Sequence, residues 1–214
     1  DGKRSWRDVL TLWGRSTRRI AYGLALIPVG LALLLSLSRG ALLLGVPASL
    51  LVMGLLAGKR WRRLSIALVA LGVLALIPLL QTPRFAGMFD LTRGTTGFRL
   101  ALWHSTIGMI RDHPILGVGL DNFLYAYRTR YVLPTAWEEF NLSHPHNVIM
   151  DFGARLGLLG VAVYLWHQLR FWRRGLRLRD LRDPEYRALG LGLLGSMANF
   201  WAHGLVDASY FVID

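Results

Sequence analysis

The sequence predicts an all-α integral membrane protein with about five transmembrane helices and one long loop outside the membrane. Of the 214 residues, 53% are hydrophobic and only 18% are charged, which is more apolar than a soluble domain of this size requires. The apolar residues form runs that can cross a bilayer. Basic residues gather between these runs, at 1–19, 58–63 and 168–187, and these segments hold 17 of the 25 Lys and Arg residues.

The first part of the chain is a basic segment, 1–19, followed by three predicted transmembrane helices within 20–80. No Met begins the segment, and we expect the chain to be part of a longer protein. A tight turn is predicted at Ser38–Gly40, because one helix through both flanking runs would reach about 57 Å, far beyond the hydrocarbon core. Gly58–Arg63 is predicted as a basic interfacial turn. The three runs are Ile20–Leu35, Ala41–Ala57 and Leu64–Leu80.

The second part begins with a long hydrophilic segment, 81–145. A helix is predicted inside it over Thr96–Asp112, with threonine hydroxyls as capping candidates at its start. Two further transmembrane helices follow in 146–214, on either side of an Arg-rich loop at 168–187. They are predicted over His146–His167 and Ala188–Leu205.

The positions of the basic residues predict the orientation in the membrane. Short loops rich in Lys and Arg face the cytoplasm, so segment 81–145 is expected on the opposite, extracytoplasmic face. The net charge of +12 fits anionic membrane lipids as partners, and we expect no nucleic acid, because the arginines flank apolar spans and form no solvent-facing stripe. One aqueous boundary would then carry Arg39, Arg99, His144, His146, His203 and Asp207.

Arg99 and His146 are the most suggestive of these residues. Arg99 falls on the apolar face of the predicted helix, where an Arg either extends to the lipid headgroups or lines a buried cavity for phosphate. His146 is predicted in the first turn of the fourth span, after Pro145. Three glycines share its helical direction and allow another helix to approach closely, so His146 is expected to face protein: Gly153, Gly157 and Gly160.

Two i, i+4 pairs have simpler interpretations. Asp151 and Arg155 are expected to form an ion pair that stabilises the fourth span. His203 and Asp207 supply only two metal ligands, and no third is evident near them. The chain has no Cys and lacks Asp-x-Asp and Glu-x-x-His patterns, so we expect no catalytic metal and no cofactor. The Gly-x-Gly that follows His113 is a weak phosphate signal, since no strand precedes it.

Three sequence blocks occur in an order that resembles a known family. They are Ser38-Arg39-Gly40, the stretch from Gly97-Phe98-Arg99 to Asp112-His113-Pro114-Ile115-Leu116-Gly117-Val118-Gly119, and His146-Asn147. Together with Ala202-His203-Gly204-Leu205-Val206-Asp207, they are similar to the shared domain of bacterial O-antigen ligases and O-antigen polymerases. The resemblance covers about residues 30–210.

The resemblance implies a metal-independent, inverting glycosyltransferase of the C-type in the bacterial inner membrane, with its active site on the periplasmic face. The donor would be a glycan linked to undecaprenyl diphosphate, and the acceptor a hydroxyl of a glycan or lipid-linked molecule in lipopolysaccharide or surface polysaccharide biosynthesis. Mapped by motif, Arg39 and Arg99 would bind the diphosphate and His146 would be the catalytic His. The secondary candidates are His144, His113, His203 and Asp207.

The chain departs from the family pattern in two ways, and several functions remain open. The family has about a dozen spans, whereas about five are predicted here. In addition, Phe98 stands between the motif glycine, Gly97, and Arg99. Within the family, an O-antigen or exopolysaccharide polymerase or a protein-glycan ligase is an alternative to the ligase. Outside it, the same arginines fit a transporter or flippase for an anionic glycolipid, although the chain has no internal repeat. A non-catalytic assembly subunit is the third possibility.

Overall fold

The computed structural model of the chain describes residues 14–36, 38–80, 82, 94–139 and 141–207. Every regular element in these ranges is helical. Shorter helical turns occupy Ala41–Gly45, Tyr127–Tyr131, Pro134–Glu139 and Leu176–Asp180. The helices are α1 (Arg15–Ser36), α2 (Val46–Ala57), α3 (Lys59–Leu80), α4 (Gly94–Asp112), α5 (Phe123–Ala126), α6 (Val148–Gly175) and α7 (Pro184–Gly204). Much of the predicted segment 1–19, and residues 83–93 of the long loop, lie outside the described ranges.

Three of these helical stretches are long and apolar enough to cross a membrane: Thr17–Ser36, Lys59–Pro78 and Val148–Asp180. Ala41–Ala57 is apolar but shorter. The all-helical class is therefore confirmed, and membrane-spanning helices are supported by length and composition. The count of five spans stays a prediction.

The first two interruptions between helices lie where the sequence predicts turns, but they are shorter than predicted. The Ser38 hydroxyl accepts a hydrogen bond from Ala41 N at 3.3 Å, so it caps a helix that begins directly at Arg39. Gly58 has φ +118°, a conformation that glycine adopts without steric cost. The basic turn predicted at Gly58–Arg63 is reduced to this one residue, because α3 begins at Lys59.

Helices α2 and α7 pack against each other in antiparallel directions. A Cβ added to Gly40 would lie 2.7 Å from the His203 ring, and one added to Gly195 would lie 2.6 Å from Met53 Cγ. Small residues at these crossings allow close approach of the two backbones. The register brings the start of the Arg39–Ala57 segment to the end of α7.

The basic clusters gather at the other end of the bundle, which we call the basic end. Arg18 on α1 forms an ion pair with Glu185 at 2.7 Å, and Trp61 lines a groove of about 620 Å³ together with Arg182 and Arg187. The predicted Arg-rich loop is mostly helical. Helix α6 continues to Gly175, because no glycine or proline interrupts residues 161–174.

A compact apolar core lies toward the opposite end. Five buried residues form it: Leu102, Met109, Phe123, Tyr127 and Ala154. They come from α4, α5, the turn after α5, and the start of α6. Helix α4 begins two residues before its predicted start. Its Ser105 is buried, and its hydroxyl donates to the Ala101 carbonyl at 3.2 Å, so the buried polar group has a partner.

Candidate functional site

His146 lies immediately before α6 and not in its first turn as predicted. Asn147 is the N-cap, since its side-chain oxygen accepts from the backbone N–H groups of Ile149 and Met150 at 3.1 Å each. His146 itself has φ +52°, an uncommon conformation for a residue with a Cβ that is found preferentially at functional sites.

Hydrogen bonds to two other helices fix this strained segment. Trp103 Nε1 donates to the Pro145 carbonyl at 2.8 Å and ties the segment to α4. Asn147 Nδ2 donates to the Leu205 carbonyl at 3.0 Å and ties it to the end of α7. The position of His146 therefore depends on α4, α6 and α7 together.

The end of α7 brings Asp207 to His146, 61 residues away in the sequence. His146 Nδ1 is 2.9 Å from Asp207 Oδ1, and the side chains are 22% and 33% exposed. The imidazole is therefore accessible while it is held by the carboxylate. The other carboxylate oxygen, Oδ2, is 3.5 Å from His203 Nε2. The predicted i, i+4 pair thus shares its carboxylate with a second histidine.

His144 completes a cluster around this carboxylate. Its ring packs edge-on against the His146 ring, with the centroids 4.4 Å apart, and Ser143 Oγ is 3.2 Å from His144 Nδ1. Ligand atoms of His144, His146 and Asp207 all lie within 4.8 Å of one another. Sequence spacing shows only two ligands here because His144 and His146 come from the loop before α6, far from Asp207 in the sequence.

Arg39 and Arg99 line one cavity of about 260 Å³, which lies between the start of the Arg39–Ala57 segment and α4. Arg39 Nη2 donates to Thr95 Oγ1 at 3.0 Å. Leu43, Leu44 and Leu100 form the apolar part of the lining. A cavity with two guanidinium groups beside an apolar wall suits an amphipathic anion.

The charges around Arg99 favour an anion in this cavity. Burial lowers the pKa of Arg99, the Asp207 carboxylate raises it, and the positive charge of Arg39 lowers it further. Two cations close enough to repel each other in a partly desolvated cavity are stabilised by a bound anion. Of the two interpretations of Arg99, the structure favours the cavity.

The cavity and the histidine cluster are neighbours. Trp103 lines the cavity and donates a hydrogen bond to the carbonyl of Pro145, the residue before His146. Val206, next to Asp207, also lines the cavity. Ser38 Oγ, adjacent to Arg39, is 3.5 Å from His203 Nε2. The structure therefore brings together six of the predicted residues at one site: Arg39, Arg99, His144, His146, His203 and Asp207.

His113 is the predicted candidate that the structure places elsewhere. It is exposed and lines a different cavity together with Gly117, Tyr125 and Arg130. Its backbone carbonyl accepts from Gly117 N at 3.1 Å, which closes the turn after α4. Its observed contacts are thus those of the turn.

Arg155 does more than the predicted ion pair. It is 1% exposed, and its Nε donates to Asp151 Oδ1 at 2.9 Å. Its other nitrogens donate to the carbonyls of Leu120 and, at 2.6 Å, Ser143. Ser143 precedes His144, so this buried guanidinium connects α6 to the end of the Gly-x-Gly loop and to the loop that carries His144.

The Gly-x-Gly loop is inserted into a kink in α6. Gly157 has φ +67° and ψ −167°, which interrupts the helix. Val118 N and Gly119 N donate to the carbonyls of Ala154 and Arg155 at 2.7 and 3.0 Å, and Leu158 N donates to the Pro114 carbonyl at 2.8 Å. The loop backbone thus supplies the hydrogen bonds that the kinked helix loses.

Four contacts of the site are missing from the sequence interpretation. They are Thr95 beside Arg39, Trp103 to the Pro145 carbonyl, Asn147 to the Leu205 carbonyl, and Arg155 to Ser143. Only the Asn147 cap has a local signal, since Asn before an apolar run is typical of an N-cap. The four contacts themselves, including that of Asn147 with Leu205, all join residues from separate segments.

Comparisons with known proteins identify the family of the chain. The family model described as O-antigen ligase matches residues 24–165. A curated protein of Rickettsia typhi, named "Putative polysaccharide ligase", is 26% identical over 123 residues, which are 51% of this chain and 29% of that protein. A protein of the same name from Rickettsia conorii is 23% identical over 126 residues, 57% of this chain and 29% of its own length. The chain therefore spans less than a third of these relatives.

Proposed function

The chain belongs to the O-antigen ligase family, and we propose that it transfers a glycan from undecaprenyl diphosphate to an acceptor hydroxyl. The proposed place of reaction is the periplasmic face of the bacterial inner membrane. The observation that carries this proposal is the position of two arginines in one cavity, directly beside a histidine–carboxylate pair. The relatives named as polysaccharide ligases support the same substrate class.

The arginines supply the binding site for the donor diphosphate in this proposal. Each guanidinium offers planar, bidentate hydrogen bonds to phosphate oxygens. The leucines of the cavity wall suit the first units of a polyprenyl chain. Positive charge at the diphosphate also stabilises the charge that develops on this leaving group.

His146 is the proposed general base, with Asp207 as its positioning residue. When Nδ1–H donates to Asp207 Oδ1, the lone pair of Nε2 is available for a proton. The carboxylate also stabilises the imidazolium that forms. The strained backbone at His146 holds the ring in one direction, which favours a fixed catalytic geometry.

The reaction then proceeds in one displacement. His146 takes the proton of the acceptor hydroxyl, and the hydroxyl oxygen forms a bond to the anomeric carbon. The bond from that carbon to the diphosphate oxygen breaks, and undecaprenyl diphosphate leaves with the electron pair. Attack opposite the leaving group inverts the anomeric configuration. No step requires a metal or a nucleotide sugar.

The test reconstitutes the longer parent protein in vesicles with an undecaprenyl-diphosphate-linked glycan and candidate acceptors. Release of undecaprenyl diphosphate and growth of the acceptor are measured with a chelator present. We expect transfer by the wild type and by the exposed-histidine control His104→Ala, and a loss of at least about 10²-fold in His146→Ala.

Each alternative outcome has a distinct meaning. Equal transfer by His146→Ala and wild type would remove this histidine from catalysis. Movement of the lipid-linked glycan to the other leaflet without transfer would identify a flippase. The acceptor that is extended, lipid-anchored core or a second lipid-linked glycan, separates a ligase from a polymerase.

A further inference from the structure

We propose that His144, His146 and Asp207 form a binding site for one divalent transition-metal ion such as Zn²⁺, and that this ion inhibits the enzyme. The inhibition rests on the role of His146 proposed above, whereas the binding site rests on the geometry alone. In the part of the chain that the structure describes, these three residues form the one group of three or more His, Asp or Glu side chains whose ligand atoms are close enough to bind the same ion.

The distances suit a zinc ion after small adjustments, in which the His146–Asp207 pair, 2.9 Å apart, opens slightly and the widest pair closes. The three ligand atoms lie within 4.8 Å of one another. Ligands of a tetrahedral zinc at bond lengths of about 2.0–2.1 Å are about 3.4 Å apart. The side chains therefore need to move by little more than about 1 Å. Two imidazoles and one carboxylate are a ligand set that zinc uses in sites with an open fourth position.

The site is also held in place before an ion binds. Pro145, between the two histidines, is buried and accepts the Trp103 hydrogen bond at 2.8 Å. Asn147 donates a hydrogen bond to the Leu205 carbonyl and thereby fixes the residues after α7 that lead to Asp207. His203 Nε2, 3.5 Å from Asp207 Oδ2, orients the carboxylate in the way that outer hydrogen bonds orient metal ligands.

Zinc at this position would disable the proposed base. The nitrogen of His146 that faces Asp207 is Nδ1, at 2.9 Å. A neutral imidazole has one nitrogen with a lone pair and one with a proton. An ion on Nδ1 therefore leaves the proton on Nε2, which can no longer accept a proton from the acceptor hydroxyl. The ion also neutralises the Asp207 charge that would stabilise an imidazolium.

Zinc binding to the full-length parent protein, purified in detergent without a polyhistidine tag, tests the site directly. Equilibrium dialysis with Zn²⁺ is expected to show an ion site that His144→Ala and Asp207→Asn each weaken by about tenfold or more. Two histidines of this chain, both exposed and outside the cluster, provide matched controls, and His104→Ala and His167→Ala should bind as the wild type does. Thermal unfolding of each apo-protein checks that the variants remain folded.

Transfer assays then test the inhibition. Zinc is expected to reduce transfer by the wild type and by His104→Ala, and a chelator should restore it. The inhibitory zinc concentration should rise by about tenfold in His144→Ala. Equal zinc affinity in wild type, His144→Ala and Asp207→Asn would overturn the site, whatever the enzyme proves to catalyse. Stimulation of transfer by zinc would overturn the inhibitory role, and absence of any transfer would refute the proposed function without changing the binding result.

Discussion

Gly157→Ala should destabilise the protein strongly, because the kink in α6 depends on this glycine. Its φ of +67° with ψ of −167° is a conformation available essentially to glycine alone. A Cβ there would overlap the carbonyl group of Ile115 and lie 2.6 Å from Leu116 N. Both obstacles are backbone atoms of the inserted loop, so no side-chain rotation relieves the contact.

The expected cost follows from two terms. The strained backbone conformation costs about 1–3 kcal/mol for a residue with a Cβ. Displacing the loop also breaks three hydrogen bonds, from Val118 N, Gly119 N and Leu158 N, at about 1 kcal/mol each. The free energy of unfolding should fall by about 4–6 kcal/mol. This is a large fraction of the stability of a typical domain.

The measurement is reversible denaturant titration of the purified protein in detergent, followed by far-UV circular dichroism. Gly192→Ala is the matched control, since Gly192 is helical, exposed and has nothing within 4 Å of an added Cβ. It should be neutral or stabilise by up to about 1 kcal/mol. A loss below about 1 kcal/mol in Gly157→Ala would refute the insertion of the loop into α6.

Four further substitutions test the site and the buried network beside it. Arg39→Lys and Arg99→Lys should each reduce transfer by about 10²-fold in initial-rate assays, because a point charge replaces a planar fork; full activity in both would contradict the diphosphate site. Asp207→Asn should reduce the rate constant by about 10²–10⁴-fold while donor binding changes little, and a change in the Michaelis constant alone would argue against its positioning of His146. Arg155→Met should lower the free energy of unfolding by about 3–5 kcal/mol, since it leaves a buried Asp151 without its cation; an unchanged denaturation midpoint would contradict the buried network.

The sequence was sufficient for most of the helices, and the roles of Arg39, Arg99 and His146 stay predictions. Apolar runs and flanking basic residues are local signals, and the computed structure has helices at Arg15–Ser36, Lys59–Leu80 and Gly94–Asp112 where these signals predict them. The errors lie at helix ends. Lys59–Arg63 and residues 168–175 are helical although their charge suggested turns, because neither stretch contains the proline or internal glycine that ends a helix.

The partners of Arg155 and Asp207 were only half predictable. In each case the i, i+4 partner follows from helical geometry. The additional partners, the loop carbonyls on Arg155 and the ring of His146 on Asp207, lie 12 to 61 residues away. Such pairs depend on how helices pack, which one sequence does not specify residue by residue.

By itself, the sequence determined an all-helical, apolar chain of the O-antigen ligase family, with its basic clusters separated from its candidate residues. Both properties depend on local composition and on motif order. Only the tertiary structure decided that α6 is kinked around the Gly-x-Gly loop, and that three histidines, two before α6 and one at the end of α7, lie around one carboxylate. These features arise where segments distant in sequence form hydrogen bonds with each other, through the backbone at the kink and through side chains at the carboxylate. Such contacts depend on the packing of the whole molecule.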